Sequence, residues 1–117
     1  MKTKLPCYTL SRRIVDHHEP VDNLRLEVSP SRFHIFSYHH LNTAVFESTK
    51  ERDTLTISFL QHQVRIAGRN LRDLACAIQE RTVESINPIP DRYTTATTGQ
   101  DGIVESIEIE TNGTTND

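Results

Sequence analysis

Four glycines in 117 residues leave little material for an elaborate backbone cradle, and neither a glycine-rich phosphate loop nor a Gly-x-Ser-x-Gly elbow occurs. The two cysteines, Cys7 and Cys76, form no Cys-x-x-Cys pair for metal or redox work. One stands near the start of the chain and the other on the polar side of a predicted helix, so no structural disulfide is expected. No stretch approaches the roughly 18 to 20 apolar residues of a membrane span. The two lysines near the N-terminus precede no continuous apolar run of a signal peptide. The expectation is a cytoplasmic protein with no membrane partner. Charge of one sign is missing too: 13 Lys and Arg against 16 Asp and Glu give a net charge of -3, which offers no general field to attract nucleic acid and no acidic block of a solvating tail.

Hydrophobic residues make up 35% of the chain, which suits one small core with loose ends. That core is organised around residues 53–86, DTLTISFLQHQVRIAGRNLRDLACAIQERTVESI. Leu55, Ile57 and Phe59 alternate with Thr56 and Ser58, the period of a strand with one buried face. Val64 and Ile66 repeat the pattern after a break at residues 60–63 that is short enough for a hairpin connection. Gly68 follows, and Asn70 stands before a run of helical spacing, where its side chain is predicted to cap the helix. Leu71, Leu74, Ala75 and Ile78 fall on one side of that helix, while Arg72, Asp73, Cys76, Gln79 and Glu80 point elsewhere. About ten residues give roughly 15 Å of helix, too little to stand alone in water. It must lean on the sheet through Leu71, Leu74 and Ile78, each worth about 1.5 to 3 kcal/mol when buried. The helix is predicted to end near Arg81. The β-branched Thr82 and Val83 suit an extended exit, and Pro88 and Pro90 end regular structure.

Elsewhere the chain offers shorter signals. Residues 1–22 mix basic, polar and histidine residues with scattered apolar ones and read as an arm of uncertain order, in which Tyr8, Leu10, Ile14 and Val15 could add an edge strand or a turn of helix to the core. Leu24, Leu26 and Val28 alternate with Arg25 and Glu27 as a half-buried strand, closed by Ser29, Pro30 and Ser31. Residues 32–38 are apolar on both parities, with Phe33 and Ile35 on one side and His34, Phe36 and Tyr38 on the other, as in a central strand covered on both faces. A turn at residues 39–42 separates it from an extended segment at 43–47, and residues 48–53 form a charged loop tip. Residues 87–102 have the Pro/Thr-rich composition of a linker. Residues 103–110 return to an approximate period of two and are predicted to cover an edge of the sheet. Residues 111–117 have nothing to bury and are expected to be disordered.

Six histidines are the one compositional feature that invites chemistry. A metal site needs three or four converging ligands, and no His-x-x-x-His or His-x-His pair is present. The set that a bend could bring together is His39, His40 and His62, against the plainer reading of surface and turn histidines. Arg65, Arg69 and Arg72 form a second candidate, an anion-binding cluster at the helix start; its plainer reading is a solvated rim of weak ion pairs. Phe36, Tyr38, Phe46 and Leu60 are apolar groups that a small core with helix cover on one face does not absorb, and they mark a candidate interaction face.

The sequence therefore predicts an α+β fold: a mostly antiparallel sheet of about five or six strands with one helix packed on one face. The single domain spans residues 23–110, between the arm (1–22) and the tail (111–117). The functional expectation is a small, non-enzymatic, self-associating interaction or regulatory module whose partner is itself or another protein, with no cofactor and no catalytic set. Metal or small-anion binding, at the histidines or the arginines, is the alternative, and an uncharacterised enzyme the third.

Overall fold

The computed structural model describes residues 3–4, 7–88 and 102–111. Their strands are β1 (Thr3–Lys4), β2 (Tyr8–Leu10), β3 (Arg13–Ile14), β4 (His17–His18), β5 (Asn23–Ser29), β6 (Arg32–Ser37), β7 (Leu41–Ser48), β8 (Asp53–Phe59), β9 (His62–Arg69), β10 (Val83–Ile86) and β11 (Ile103–Thr111). One helix, α1 (Arg72–Gln79), joins β9 to β10, and a 3₁₀ turn at Tyr38–His40 joins β6 to β7. The content is α+β and mostly strand. The tail beyond Thr111 and most of the predicted linker, residues 89–101, lie outside the described residues.

The expected single sheet is instead three. One has the order β1-β2-β10-β5-β6, the second the order β11-β9-β8-β7, and β3 and β4 form a separate hairpin. Neighbouring strands are antiparallel except β10 and β5, which run parallel with Ser85 opposite Arg25 and Ile86 opposite Leu26. The physical reason for two principal sheets is that each has only one apolar face, and each needs another layer on which to bury it. Leu55, Ile57 and Phe59 of β8, Val64 and Ile66 of β9, Leu24 and Leu26 of β5, and Val83 and Ile86 of β10 all enter one core. Leu74 and Ile78 of α1 join the same core.

The β8–β9 hairpin forms as its alternation predicts, with Leu60 and Gln61 between the strands and Ser58 opposite Gln63. β11 pairs along β9 from Ile103 opposite Arg69 to Thr111 opposite His62, so the last predicted strand does cover an edge. Gly68 lies inside β9 rather than after it. What approaches its backbone is β11: a Cβ there would collide with the Ile103 carbonyl oxygen and lie 2.9 Å from the carbonyl carbon and 3.1 Å from Val104 Cα.

Three local expectations are corrected. β6 is an edge strand with one open face: Phe36 is buried, whereas Phe33 and Ile35 are 54% and 61% exposed. Apolar residues on both parities thus mark here a buried face and an uncovered one, with the Arg25 guanidinium lying 5.4 Å from the centre of the Phe33 ring. Residues 7–11 add neither an edge strand nor a turn of helix: β2 lies inside its sheet, between β1 and β10, and Cys7 and Ser11 are buried. The Cys7 thiol accepts from Val104 N–H at 3.2 Å; burial pushes its pKa up and this hydrogen bond offsets part of the shift. Finally, Asn70 is not the helix cap. It has φ 56, a left-handed conformation that asparagine tolerates and that an N-cap, which is extended, does not have. The residue before α1 is Leu71, without a side-chain cap of its own, and its N–H donates to Asp53 Oδ2 at 3.0 Å.

Candidate functional site

α1 lies along β7. Arg72, in the first turn, holds its guanidinium 5.0 Å from the centre of the Phe46 ring, late in β7. Arg81, just past the helix, is 5.9 Å from the ring of Tyr38, immediately before β7. The helix therefore runs opposite to the strand. Between them is a groove of about 570 Å³. Arg72, Ala75, Cys76 and Gln79 form its helical wall, a single stripe at i, i+3, i+4 and i+7. Leu41, Asn42, Thr43 and Ala44 form the opposite wall, and Tyr38, Phe46, Leu55 and Ile78 an apolar base.

The end of the helix sets Arg81 in place. Arg81 N–H donates to Ile78 O at 3.0 Å and Thr82 N–H to Ala77 O at 3.1 Å, the paired bonds of a Schellman motif. That motif requires a left-handed residue, usually glycine; here it is Arg81 with φ 62. Its side chain reaches Asp22 with Nη2 3.6 Å from Oδ1, and its Nε is buried without a hydrogen-bond acceptor among the described residues. Tyr38 beneath it donates its hydroxyl to Val83 O at 2.7 Å, and burial raises the phenol well above its ordinary pKa.

Among the described residues Arg72 forms no ion pair, and its one close partner is the Phe46 ring. Among the described residues no carboxylate lines the groove. Two guanidiniums at opposite ends of a partly apolar trough, on a chain of net charge -3, make a local site for negative charge. Guanidinium stays protonated and offers a planar fork of donors, which favours carboxylate and phosphate.

The structure regroups the residues that the sequence singled out. Arg65, Arg69 and Arg72 do not form one cluster: Arg65 faces Glu108 at 3.7 Å and Arg69 faces Glu105 at 3.5 Å across the β9–β11 ladder, while Arg72 turns to β7. The anion expected at the helix start is supplied by the chain itself, as Asp53. Of the predicted interaction face, Phe36 and Tyr38 are core residues, Tyr38 showing only an edge at the groove; Phe46 is partly buried at the groove and Leu60 is 62% exposed at the β8–β9 turn. His40 and His62 border a hollow together with His34, whereas His39 lies apart, 3.9 Å from Asp22. Phe36 stands between two of these rings, stacked on His34 at 6.0 Å and edge-on to His62 at 5.2 Å. Among the described residues no three His, Cys, Asp or Glu side chains come together as metal ligands would.

Arg81, Asn42, Thr43 and Gln79 were not legible as site residues. The available signal was the outward side of α1, where Cys76 and Gln79 carry no charge while Arg72 and Asp73 do. Compared with known proteins, the chain matches no family model, no curated protein and no solved structure. Among the described residues no helix is long and apolar enough to cross a membrane.

Proposed function

We propose that this chain is a non-enzymatic binding module that takes a negatively charged ligand in the groove between β7 and α1. The observation that carries this reading is the pair of guanidiniums, Arg72 and Arg81, at the two ends of an apolar-based trough that no carboxylate lines among the described residues. Apart from the Cys76 thiol and the Tyr38 hydroxyl, which donates to Val83 O, the polar groups on its walls bind rather than transfer protons: guanidiniums hold their charge at all ordinary pH, and the amides of Asn42 and Gln79 do not titrate. Tyr38 and Phe46 give the ligand body an aromatic floor, and the partly exposed end of the Arg81 side chain meets its charge.

The test is binding of an aromatic sulfonate such as anilinonaphthalene sulfonate, an anionic probe with an apolar body, followed by fluorescence and by thermal unfolding. Saturation at about 100 times Kd should stabilise the fold by about 2.7 kcal/mol. Arg72→Gln and Arg81→Gln should each weaken binding about tenfold, the loss of one charge-assisted hydrogen bond. Equal binding by both variants, or no binding, would remove this reading.

A second reading, self-association, is supported by a different observation: Phe33 and Ile35 stand exposed on the edge strand β6. Native mass spectrometry of untagged protein should then show a dimer that Ile35→Glu converts to monomer. A monomer at micromolar concentration would set it aside.

A further inference from the structure

Resting on the anion-binding reading of the groove, we infer that its ligand is an extended acidic peptide that adds to the free edge of β7 as a further strand of the second sheet, with two acidic side chains four residues apart meeting Arg72 and Arg81. β7 ends the order of its sheet, and among the described residues it pairs only with β8. Along such an edge every second residue turns its N–H and C=O outward, a template for another strand.

The lining shows that the groove follows this edge. A hollow over one face of a strand touches alternate residues; this one touches Leu41, Asn42, Thr43 and Ala44 in succession. Part of that run is the irregularity at Asn42, an extra residue between Leu41 opposite Phe59 and Thr43 opposite Ser58. A bulge bends a strand and limits how far an edge can pair, so the added strand is short: it pairs with β7 from residue 43 onward, and only its end passes the bulge toward Arg81.

Spacing and charge select the sequence of the peptide. Seven residues of helical rise and the closing turn through Glu80 place the Arg72 and Arg81 backbones roughly 13 Å apart. In an extended chain, side chains at i and i+4 point the same way at about the same separation. Glutamate or aspartate at those two positions spans the two guanidiniums. The side chain at i+2 then falls on the uncharged middle of the helical wall, Ala75 and Cys76, which suits a small apolar residue. Strand addition with side-chain pockets on alternate residues is an established way to combine affinity with specificity.

The experiment uses the full chain and the end-blocked peptide Glu-Thr-Val-Thr-Glu, with calorimetry for affinity and amide hydrogen exchange for location. The expected result is binding with new protection of β7 amides. N-methylation of alternate peptide amides and Arg72→Gln should each weaken affinity about tenfold or more. Arg65→Gln, outside the groove, should leave it unchanged. Decanedioate carries two carboxylates at a similar span without amides. If it binds as tightly as the peptide and N-methylation costs nothing, the groove is an anion site and strand addition is wrong. Should neither compound bind, the anion-binding reading falls as well. Protection of β7 amides in a peptide-free dimer would assign the edge to a second copy of the chain and overturn the inference.

Discussion

Replacing Arg81 by glycine and by alanine separates the backbone demand of the helix end from the side chain that the groove uses. Arg81 has φ 62, where an L-residue gives up about 1–2 kcal/mol relative to a right-handed conformation. Glycine escapes that cost, but its freer unfolded chain returns about 0.4–1 kcal/mol. Both substitutions lose the same side-chain contacts. The Asp22 pair joins a carboxylate that is 80% exposed, so it contributes about 0–1 kcal/mol; the contact with the Tyr38 ring adds about 0.5–1 kcal/mol. For Arg81→Gly gains and losses nearly cancel, and its stability should stay within about 1 kcal/mol of the parent. Arg81→Ala keeps the conformational cost and loses the contacts. It should be less stable than Arg81→Gly by about 0.5–1 kcal/mol, roughly 2–4 °C in Tm for a chain of this size. Urea and thermal unfolding of the three proteins give the answer. Equal stability of the glycine and alanine variants would refute the left-handed strain at this position. Anion binding should be weakened in both, because neither carries the guanidinium.

Two further outcomes test the fold around the groove. Gly68→Ala places a methyl against backbone atoms of Ile103 and Val104, which cannot swing aside as a side chain would, so β11 must shift; a loss of about 1–3 kcal/mol should appear with faster amide exchange in β11, and parent-like stability would show that the seam is looser than described. His34 has its pKa lowered from an ordinary 6.5 by desolvation and by the nearby charges of Arg32 and His62. The unfolded chain then binds the proton more readily, so this contribution to stability is present above pH 6.5 and is lost as pH falls through the lower folded-state value. Urea midpoints between about pH 5 and 7 should fall on acidification, and His34→Gln should flatten that slope; an unchanged slope would count against the assignment.

The sequence made some of this legible because side-chain period records burial directly. Leu55, Ile57 and Phe59 alternate without exception, and the structure buries all three; Leu74 and Ile78 likewise mark the core side of α1. Period does not record which strand lies beside which. Nothing in Val83, Glu84, Ser85 and Ile86 announces a strand that pairs with β2 on one side and β5 on the other, and that placement is what makes two principal sheets instead of one. The groove was hidden for a related reason. Arg72, Tyr38 and Phe46 were each notable, but they come from different elements, and only the antiparallel placement of α1 on β7 brings them together. Arg81 was hidden by chemistry, since a helix end without glycine gives no sign of a left-handed residue.

The position of β10 also sets the order in which the molecule can be built. The β8–β9 hairpin and α1 are local and can form from residues 53–79 with short loops to close. The first sheet draws strands from residues 3–10, 23–37 and 83–86, and β10 stands between β2 and β5. Until residue 86 leaves the ribosome, β2 and β5 have no strand to join them. The contact between Arg25 and Ser85 closes a long loop whose entropy must be overcome before the pairing returns any energy. Completion of that sheet is therefore expected late in folding, and a nascent chain stopped short of β10 would hold two strand pairs, β1–β2 and β5–β6, not yet joined.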